Sequence, residues 1–255
     1  MSLNEQNVRV VLVEPQGSLN IGSVARVMAN FGFGKLYLVN PEADHLNDEA
    51  RRMAVKAAPL LEQAVIVPDL AAALADCRLA LGTTRRFGKY REDFLHPDEL
   101  GPQVVPVAEA GEVALVFGRE DKGLLTEELD LCQRFITIPT SDELPSMNLA
   151  QSVAVSLYGL VLSSRNHEGE NRHGRKSLAS GQTLERLYDH MRRTLLDIEY
   201  LDPQNPEHIL HTYRRIFGRA QLNDREVRVL RGLLSRIDWV EAERRKGLKD
   251  KLDEE

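Results

Sequence analysis

An asparagine and an arginine, six residues apart, stand where a strand pattern gives way to a helix pattern near the start of the chain. Residues 14–26 follow the apolar run V-R-V-V-L-V and contain Asn20, on the turn that opens the helix, and Arg26, in its first turns. A loop between a strand and a helix presents backbone N–H groups to an anion. The P-loop lysine and the dinucleotide pattern G-x-G-x-x-G are both missing. Kinase-like NTP chemistry and nicotinamide binding are therefore disfavoured, while a structural cap beside a surface arginine stays open as an alternative.

A Gly-Arg-Glu sequence, Gly118 to Glu120, follows the strand pattern at residues 113–117. Open α/β sheets bind ligands at the carboxyl ends of their strands. Gly118 would let another group approach the backbone closely, while Arg119 offers a donor fork and Glu120 a carboxylate. A charged surface turn would account for the same residues.

A serine and an asparagine, Ser146 and Asn148, precede the helix pattern at residues 149–163. The strand pattern before them, residues 134–138, ends at Pro139, which cannot donate to a sheet. Either Ser146 or Asn148 can cap the helix. The loop could therefore surround a polar ligand with hydroxyl and backbone N–H groups, or be an ordinary strand-to-helix connection.

A basic loop with aromatic residues follows the strand pattern near residues 79–81. Its cations are Arg85, Arg86, Lys89 and Arg91, and Phe87 and Tyr90 lie among them. Cations can hold phosphates, and an aromatic ring can stack on an unpaired base. A solvated surface loop is the alternative.

Strand and helix patterns alternate through the first 165 residues. Strands are predicted at residues 8–13, 35–39, 64–67, 79–81, 113–117 and 134–138, and helices at 21–31, 48–57, 69–75, 98–109, 126–132 and 149–163. This alternation predicts an α/β domain, residues 1–165, with a mostly parallel sheet.

The composition changes after Arg165. Residues 166–181 contain three glycines and few apolar residues, which predicts a linker. Helices are then predicted over about 183–197, 206–219 and 224–245, forming a small helical appendage, residues 182–255. From Arg165 to Arg231 the chain has 13 basic and 10 acidic residues, whereas the whole chain has a net charge of −6. The tail could grip phosphates or simply present a solvated charged face.

Length and composition exclude several classes of protein. The chain has 255 residues, of which 42% are hydrophobic, enough for one large domain with an appendage. Its two cysteines form no C-x-x-C pair, and its seven histidines form no ligand cluster, so we expect no metal and no disulfide framework. No signal peptide or membrane span is evident. A soluble cytoplasmic protein is expected.

The three motifs together resemble a known family. N-x-G-x-x-x-R, F-G-R-E-x-x-G-L and S-M-N-L-A, in this order, look like the three motifs of the SpoU branch of the SPOUT methyltransferases. These enzymes use S-adenosylmethionine to methylate an RNA ribose 2′-hydroxyl. The resemblance covers roughly residues 6–165. The first strand, the helical tail and its segment Y-R-R-I-F-G-R-A are most similar to TrmJ-type tRNA enzymes, which modify nucleotide 32 of the anticodon loop.

The resemblance implies a deep trefoil α/β knot and a homodimer with its active site near the subunit interface. By position, the residues around the cofactor would be Thr83, Thr84, Gly118, Ile138, Ser146 and Met147. The functional polar positions would be Asn20, Arg26, Glu120, Ser146 and Asn148. Arg26 would clamp a phosphate and orient the hydroxyl, and whether it also takes the proton stays open. RNA contacts are expected from the basic loop, from Arg119, and from Arg214, Arg215 and Arg219 in the tail.

One departure from the TrmJ-type pattern concerns the RNA substrate. The loop after Thr83 reads T-T-R-R, where T-S-A-R is usual, so Arg85 stands at a position that commonly holds a small residue. Ribosomal RNA therefore remains an alternative substrate. A knotted RNA-binding protein without turnover is a third interpretation.

Overall fold

A single parallel sheet organises the first part of the chain in the computed structural model, which describes residues 3–85, 94–165 and 178–253. Its order is β3-β2-β1-β6-β4-β7-β5, and every pairing is parallel. The strands are β1 (Val8–Val13), β2 (Lys35–Val39), β3 (Val65–Val67), β4 (Cys77–Thr83), β5 (Phe94–Leu95), β6 (Glu112–Phe117) and β7 (Arg134–Ile136). The predicted α/β fold is confirmed.

Helices cover both faces of the sheet, which explains why the strands read as nearly continuous apolar runs. The helices are α1 (Ser18–Phe31), α2 (Asp48–Ala54), α3 (Ala58–Glu62), α4 (Leu70–Leu74), α5 (Leu100–Ala108), α6 (Thr126–Leu129) and α7 (Leu149–Arg165). One face packs against α1, α2, α3, α5 and α7. The other packs against α4 and the segment 124–132. Every residue of β1 is buried between the two layers.

The position of β7 matches the topology that an α/β knot requires. β7 pairs with β4 on one side and with β5 on the other, although β5 directly follows β4 along the chain. The backbone N–H of Thr84 donates to Ile136 at 2.9 Å, and that of Thr137 donates to Leu95 at 3.0 Å. The chain leaving β7 thus emerges between the ends of two strands that residues 84–93 connect. Part of that connection, residues 86–93, lies outside the described residues.

The tail has a hydrophobic core of its own. Its helices are α8 (Gly181–Asp197), α9 (Glu207–Ala220) and α10 (Asp224–Asp253). Ten buried apolar residues, including Leu187 and Val227, form this core. The tail contacts the sheet domain near the start of β4, where Arg78 donates to the carbonyl of Leu178 and the N–H of Gln182 donates to Ala75 at 3.0 Å. Most of the predicted linker, residues 166–177, lies outside the described residues.

Several element boundaries differ from the sequence predictions. β4 spans Cys77–Thr83, where residues 79–81 were predicted, and α10 continues to Asp253, where an end at residue 245 was predicted. α1 begins at Ser18, three residues earlier than predicted, because Gly17 provides an extended residue before the first turn. β7 ends at Ile136 and not at residue 138. β5 was not predicted, since a two-residue strand gives no periodic signal. Within the described residues, no helix combines the length and the apolar character needed to cross a membrane.

Candidate active site

Three motif loops, far apart in sequence, meet in one hydrogen-bonded chain of side chains. The Asn20 amide donates to Glu120 at 2.8 Å and accepts from the Asn148 amide at 2.9 Å. Glu120 also accepts from the backbone N–H groups of Gln16 and Gly17, at 3.0 and 3.1 Å. β1 and β6 are neighbours in the sheet, so their carboxyl ends bring the first two loops together. Sequence reasoning predicted these three polar residues separately, and the structure joins them.

Asn148 has a second role, because it caps α7. Its Oδ1 atom accepts from the N–H groups of Ala150 and Gln151, at 2.9 and 3.3 Å. The amide group thus uses its oxygen for the helix and its nitrogen for Asn20. Of the two predicted caps, Asn148 is the one observed, whereas Ser146 lines a cavity.

A cavity of about 590 Å³ lies beside the polar chain, at the carboxyl ends of β4, β6 and β7. Five of the six residues predicted to surround a cofactor line it: Thr83, Thr84, Ile138, Ser146 and Met147. Its volume falls in the usual range of small-molecule sites, which is about 300–1,000 Å³. Ile136 and Leu124 contribute apolar wall, and Glu120 a carboxylate. The Thr83 hydroxyl donates to the carbonyl of Val116 at 3.0 Å, which fixes the wall between β4 and β6.

Gly118, the sixth predicted cofactor residue, does not line the cavity and packs closely against the turn that follows it. A Cβ atom at this position would lie 2.1 Å from the carbonyl carbon of Gly123 and 2.2 Å from the nitrogen of Leu124. The group that approaches Gly118 is therefore the protein's own backbone. This tight turn places Glu120 and Leu124 at the cavity wall.

Arg119 was predicted to contact RNA, and the structure does not support this. Its side chain is only 8% exposed. It donates to Glu14 at 2.7 Å, to both carboxylate oxygens of Glu128 at 3.0 and 2.7 Å, and to the carbonyl of Gly123 at 3.2 Å. Arg119 therefore ties the end of β1 to the turn after β6 and to α6. A buried charge is stable only when it is paired in this way.

The ion pairs of Arg119 shift the pKa values of the residues that form them, as expected for buried ion pairs. The hydrogen bond from Arg119 lowers the pKa of the Glu14 carboxyl below its usual value. Glu128 and Glu14 together raise the pKa of Arg119 above its already high value. Glu14 also adopts a left-handed backbone conformation, with φ of 45°, which is uncommon for a residue other than glycine. The network thus holds a strained residue at the end of β1.

Arg26 lies on α1, on the exposed side of the helix. With the described residues it makes no hydrogen bond or ion pair. It shares a stripe with Leu19, seven residues earlier, whose side chain is 44% exposed. The structure thus presents Arg26 to solvent on the helix that also carries Asn20, but does not attach it to the polar chain.

The predicted basic loop is only partly described. Arg85 lines the cavity and pairs with Asp142 at 2.9 Å. Asp142, on the loop before α7, was not singled out from the sequence. Arg86, Lys89 and Arg91 lie outside the described residues.

The three predicted RNA-binding arginines of the tail differ from one another. Arg214 donates to both oxygens of Glu185, at 2.5 and 2.7 Å, and its guanidinium lies 4.3 Å from the centre of the Tyr188 ring. Its side chain is 16% exposed, so its contacts are those of a packing residue and do not support the predicted RNA contact. Arg215 and Arg219 line a cleft between α9 and the sheet domain, near Gln133.

The described residues contain no group of three or more His, Cys, Asp or Glu side chains that could hold a metal ion. Cys77 and Cys132 are both buried free thiols. Burial raises the pKa of Cys77 to about 12, so its thiol is protonated at neutral pH.

Comparison with known proteins identifies the class that this geometry represents. The model of the SpoU rRNA methylase family matches residues 7–158, which include the polar chain and the cavity. The chain belongs to the SpoU methylase family, and S-adenosylmethionine is the cofactor of methyltransferases of this kind. A second model, that of the C-terminal domain of the tRNA methyltransferase TrmJ, matches residues 182–249, so the tail is similar to that of TrmJ-type enzymes.

Individual relatives agree over nearly the whole chain. The chain is 38% identical to the tRNA (cytidine/uridine/adenosine-2′-O-)-methyltransferase TrmJ of Pseudomonas aeruginosa, over 91% of this chain and 94% of that protein. It is 37% identical to the tRNA (cytidine/uridine-2′-O-)-methyltransferase TrmJ of Escherichia coli K12, over 91% and 96%. The crystal structure of TrmJ from Z. mobilis superposes with a TM-score of 0.78 at 32% identity, covering 90% of this chain and 98% of that one.

Proposed function

We propose that this protein transfers a methyl group from S-adenosylmethionine to a ribose 2′-hydroxyl of tRNA, at nucleotide 32 of the anticodon loop. The observation that carries the proposal is the hydrogen-bonded chain of Glu120, Asn20 and Asn148 beside the 590 Å³ cavity. The relatives named above, which the chain matches over more than nine-tenths of their length, are tRNA 2′-O-methyltransferases. The predicted cytoplasmic location belongs to the same proposal.

The cavity suits S-adenosylmethionine by the chemistry of its walls. Ile136, Ile138 and Met147 offer apolar surface for an adenine ring, and Thr84 and Ser146 offer polar groups. The cavity is lined by three carboxylates and by three cations, which are Glu120, Asp121 and Asp142, and Arg85, Arg119 and Lys122. Both signs of charge suit S-adenosylmethionine, which carries a sulfonium, an ammonium and a carboxylate group. The bound cofactor supplies a methyl group already activated by the positive charge on sulfur.

The chain's own residues must then align the ribose hydroxyl and help to remove its proton. Alignment of two reactants can contribute about 7–11 kcal/mol to lowering a barrier. Asn20 is held between Glu120 and Asn148, so its amide is fixed beside a carboxylate that lines the cavity. Arg26 carries an exposed guanidinium that can clamp the adjacent phosphate through paired donors. Because arginine stays protonated in proteins, its proposed role is to hold and orient the substrate.

An exposed apolar stripe on α7 supports the predicted homodimer. Val155, Tyr158 and Leu162 follow one another at spacings of three and four residues along the helix, which places them on one face, and they are 36%, 56% and 43% exposed. The Tyr158 ring lies 6.4 Å from that of Phe31 on α1, so the stripe adjoins the helix that carries Arg26. A second copy packing there would lie beside the helix that carries Arg26. Tyr158→Glu should shift the protein from dimer to monomer in analytical ultracentrifugation, and an unchanged mass would contradict this interface.

The test of the proposed function is methyl transfer from labelled S-adenosylmethionine to unmodified tRNA transcripts and, separately, to ribosomal RNA. We expect label on tRNA, mapped to the ribose of nucleotide 32. Arg26→Ala should lower turnover by roughly 100-fold, the scale of loss expected when the substrate is no longer correctly positioned. Arg26→Lys keeps the charge without the fork, and should recover only part of the loss.

Other outcomes of this assay would overturn defined parts of the proposal. Label only in ribosomal RNA would keep the chemistry and replace the substrate. Label on another tRNA nucleotide would replace position 32. Cofactor binding in calorimetry without transfer to either RNA would favour an RNA-binding protein that lacks turnover.

A further inference from the structure

We propose that the outer face of α10 is a binding surface for unpaired RNA, in which Trp239 stacks on a base and four arginines contact the flanking phosphates. The arginines are Arg225, Arg228, Arg231 and Arg236. The inference rests on the proposed function, since it takes RNA as the substrate. It assigns RNA recognition in the tail to α10, whereas the tail residues predicted from the sequence to contact RNA, Arg214, Arg215 and Arg219, lie on α9.

The two faces of α10 differ in what they contact. Val227 and Leu234 are buried in the core of the tail, and Asp238 accepts hydrogen bonds from Thr194 at 2.6 Å and from His190 at 2.9 Å. These residues fix the side of the helix that faces α8. At 100° per residue, the four arginines and Trp239 fall on the remaining surface, and all five are exposed.

The charge on this outer face is predominantly positive between residues 225 and 239. Of the carboxylates in that segment, Asp238 points to the core, and Glu226 accepts from the backbone N–H of Asn223 at the start of the helix. The remaining charged side chains are the four arginines. A run of guanidinium groups along one helix face complements the phosphate backbone of a nucleic acid.

Trp239 adds a stacking surface to this basic face. Its side chain is 51% exposed, and the guanidinium of Arg236 lies 4.0 Å from the centre of its ring. Unpaired RNA bases stack both on aromatic rings and on guanidinium planes. The Trp239–Arg236 pair therefore offers both kinds of plane in one place, and it would select single-stranded or loop nucleotides over a duplex.

The apolar neighbours of Trp239 suggest an alternative occupant of this surface, which is a second copy of the protein. Val229, Leu233 and Val240 are 65%, 59% and 51% exposed, and lie along the edge of the same face. A symmetric pairing through this face would bring the arginines of both copies together. Such like-charge contacts oppose association. The charge therefore favours RNA as the occupant.

The chain offers a direct reporter, because Trp239 is its only tryptophan. Fluorescence of the full-length protein, excited at the tryptophan band, is followed while unmodified tRNA transcript is added. We expect saturable quenching that follows binding measured independently by filter retention. Trp239→Ala should weaken tRNA binding by at least about fivefold, as expected from the loss of one stacked base, whereas Trp239→Phe should keep most of the affinity.

Matched variants separate stacking from general effects on the tail. Tyr200→Ala removes another aromatic side chain of the tail, 55% exposed, and should leave the affinity unchanged. Arg228→Gln should reduce the slope of log affinity against log salt concentration by slightly less than one, as for one lost phosphate contact.

Failure of this inference can be told apart from failure of the proposed function. Methyl transfer to tRNA with no quenching, and with Trp239→Ala as active and as tightly bound as the native protein, would overturn the surface and leave the function intact. A fluorescence change that depends on protein concentration without RNA would overturn it in favour of a second copy. Absence of both tRNA binding and methyl transfer would overturn both.

Discussion

Arg119 and Glu120 are adjacent in the chain but belong to two different polar networks. Arg119 is 8% exposed and saturated by Glu14, Glu128 and the carbonyl of Gly123. Glu120 is exposed, and holds Asn20 and two backbone N–H groups of the first loop. The first network connects elements of the fold, whereas the second connects the motif loops.

The difference shows how one short motif can serve both the stability of the fold and the geometry of the site. A buried arginine with two carboxylates is costly to disturb, since removal of one partner leaves uncompensated charge. An exposed carboxylate with small polar partners costs less to remove, because water can replace it. We therefore infer that Arg119 acts mainly through stability and Glu120 mainly through the geometry of the site.

The largest expected effect follows from breaking the buried network. Arg119→Met leaves Glu14 and Glu128 without their cation, and should lower the free energy of unfolding by about 3–5 kcal/mol. Urea unfolding followed by circular dichroism measures this change. Glu120→Gln is the matched control on the neighbouring residue, and should change stability by less than about 1 kcal/mol. Similar losses in both variants would remove the distinction between the two networks.

Much of the fold was predictable because its strands are long and apolar. β1 and β2 match their predicted bounds, since continuous apolar runs between loops are typical of buried parallel strands. β5 was missed because two residues carry no pattern. The knot was predicted from the family resemblance alone, because no local sequence pattern indicates which loop a later segment of the chain passes through.

Three of the polar residues predicted for the candidate site lie together, but the contacts between them could not be predicted from the sequence. Asn20, Glu120 and Asn148 stood out because they follow predicted strands. Amide and carboxylate side chains are uncommon in a protein core and useful in binding and catalytic sites. The role of Arg119 could not be read in the same way, because its partner Glu14 lies 105 residues away. Only the pairing of β1 with β6 brings the two together. Likewise, the sequence suggests close approach at Gly118 without telling which group approaches.

A smaller effect is expected from altering the exposed network without disturbing the helix it caps. Asn148→Asp keeps an oxygen that can accept from Ala150 and Gln151, so the cap of α7 is retained. It removes the N–H group that donates to Asn20 and places an acceptor there. We expect methyl transfer to fall by about tenfold, equivalent to about 1.4 kcal/mol in the barrier, with little change in unfolding.

Asn148→Ala provides the comparison for this variant. It should lose activity similarly and also about 1 kcal/mol of stability, because the cap is removed as well. Native activity in Asn148→Asp would mean that the bond to Asn20 does not contribute to catalysis.

The smallest expected effect concerns the pH dependence of the buried network. Arg119 lowers the pKa of Glu14 in the folded protein, so the unfolded state binds protons more readily at this site. The stabilisation is therefore complete above the unfolded pKa of about 4.3 and is lost as the pH falls through the lower folded value. Glu14→Gln keeps an oxygen acceptor for Arg119 but cannot titrate. We expect it to cost less than about 1 kcal/mol at pH 7, since Glu14 is 30% exposed.

Unfolding of the native protein and of Glu14→Gln, compared between pH 7 and pH 3, measures this linkage. The difference between them should shrink as the pH falls, because protonated Glu14 and glutamine are both neutral. In an Arg119→Met background the same substitution should make a clearly smaller pH-dependent difference, since the main cause of the lowered pKa of Glu14 is gone and only the weaker effects of Asn40 and Lys122 remain. An undiminished difference there would show that Arg119 is not the group that sets the pKa of Glu14.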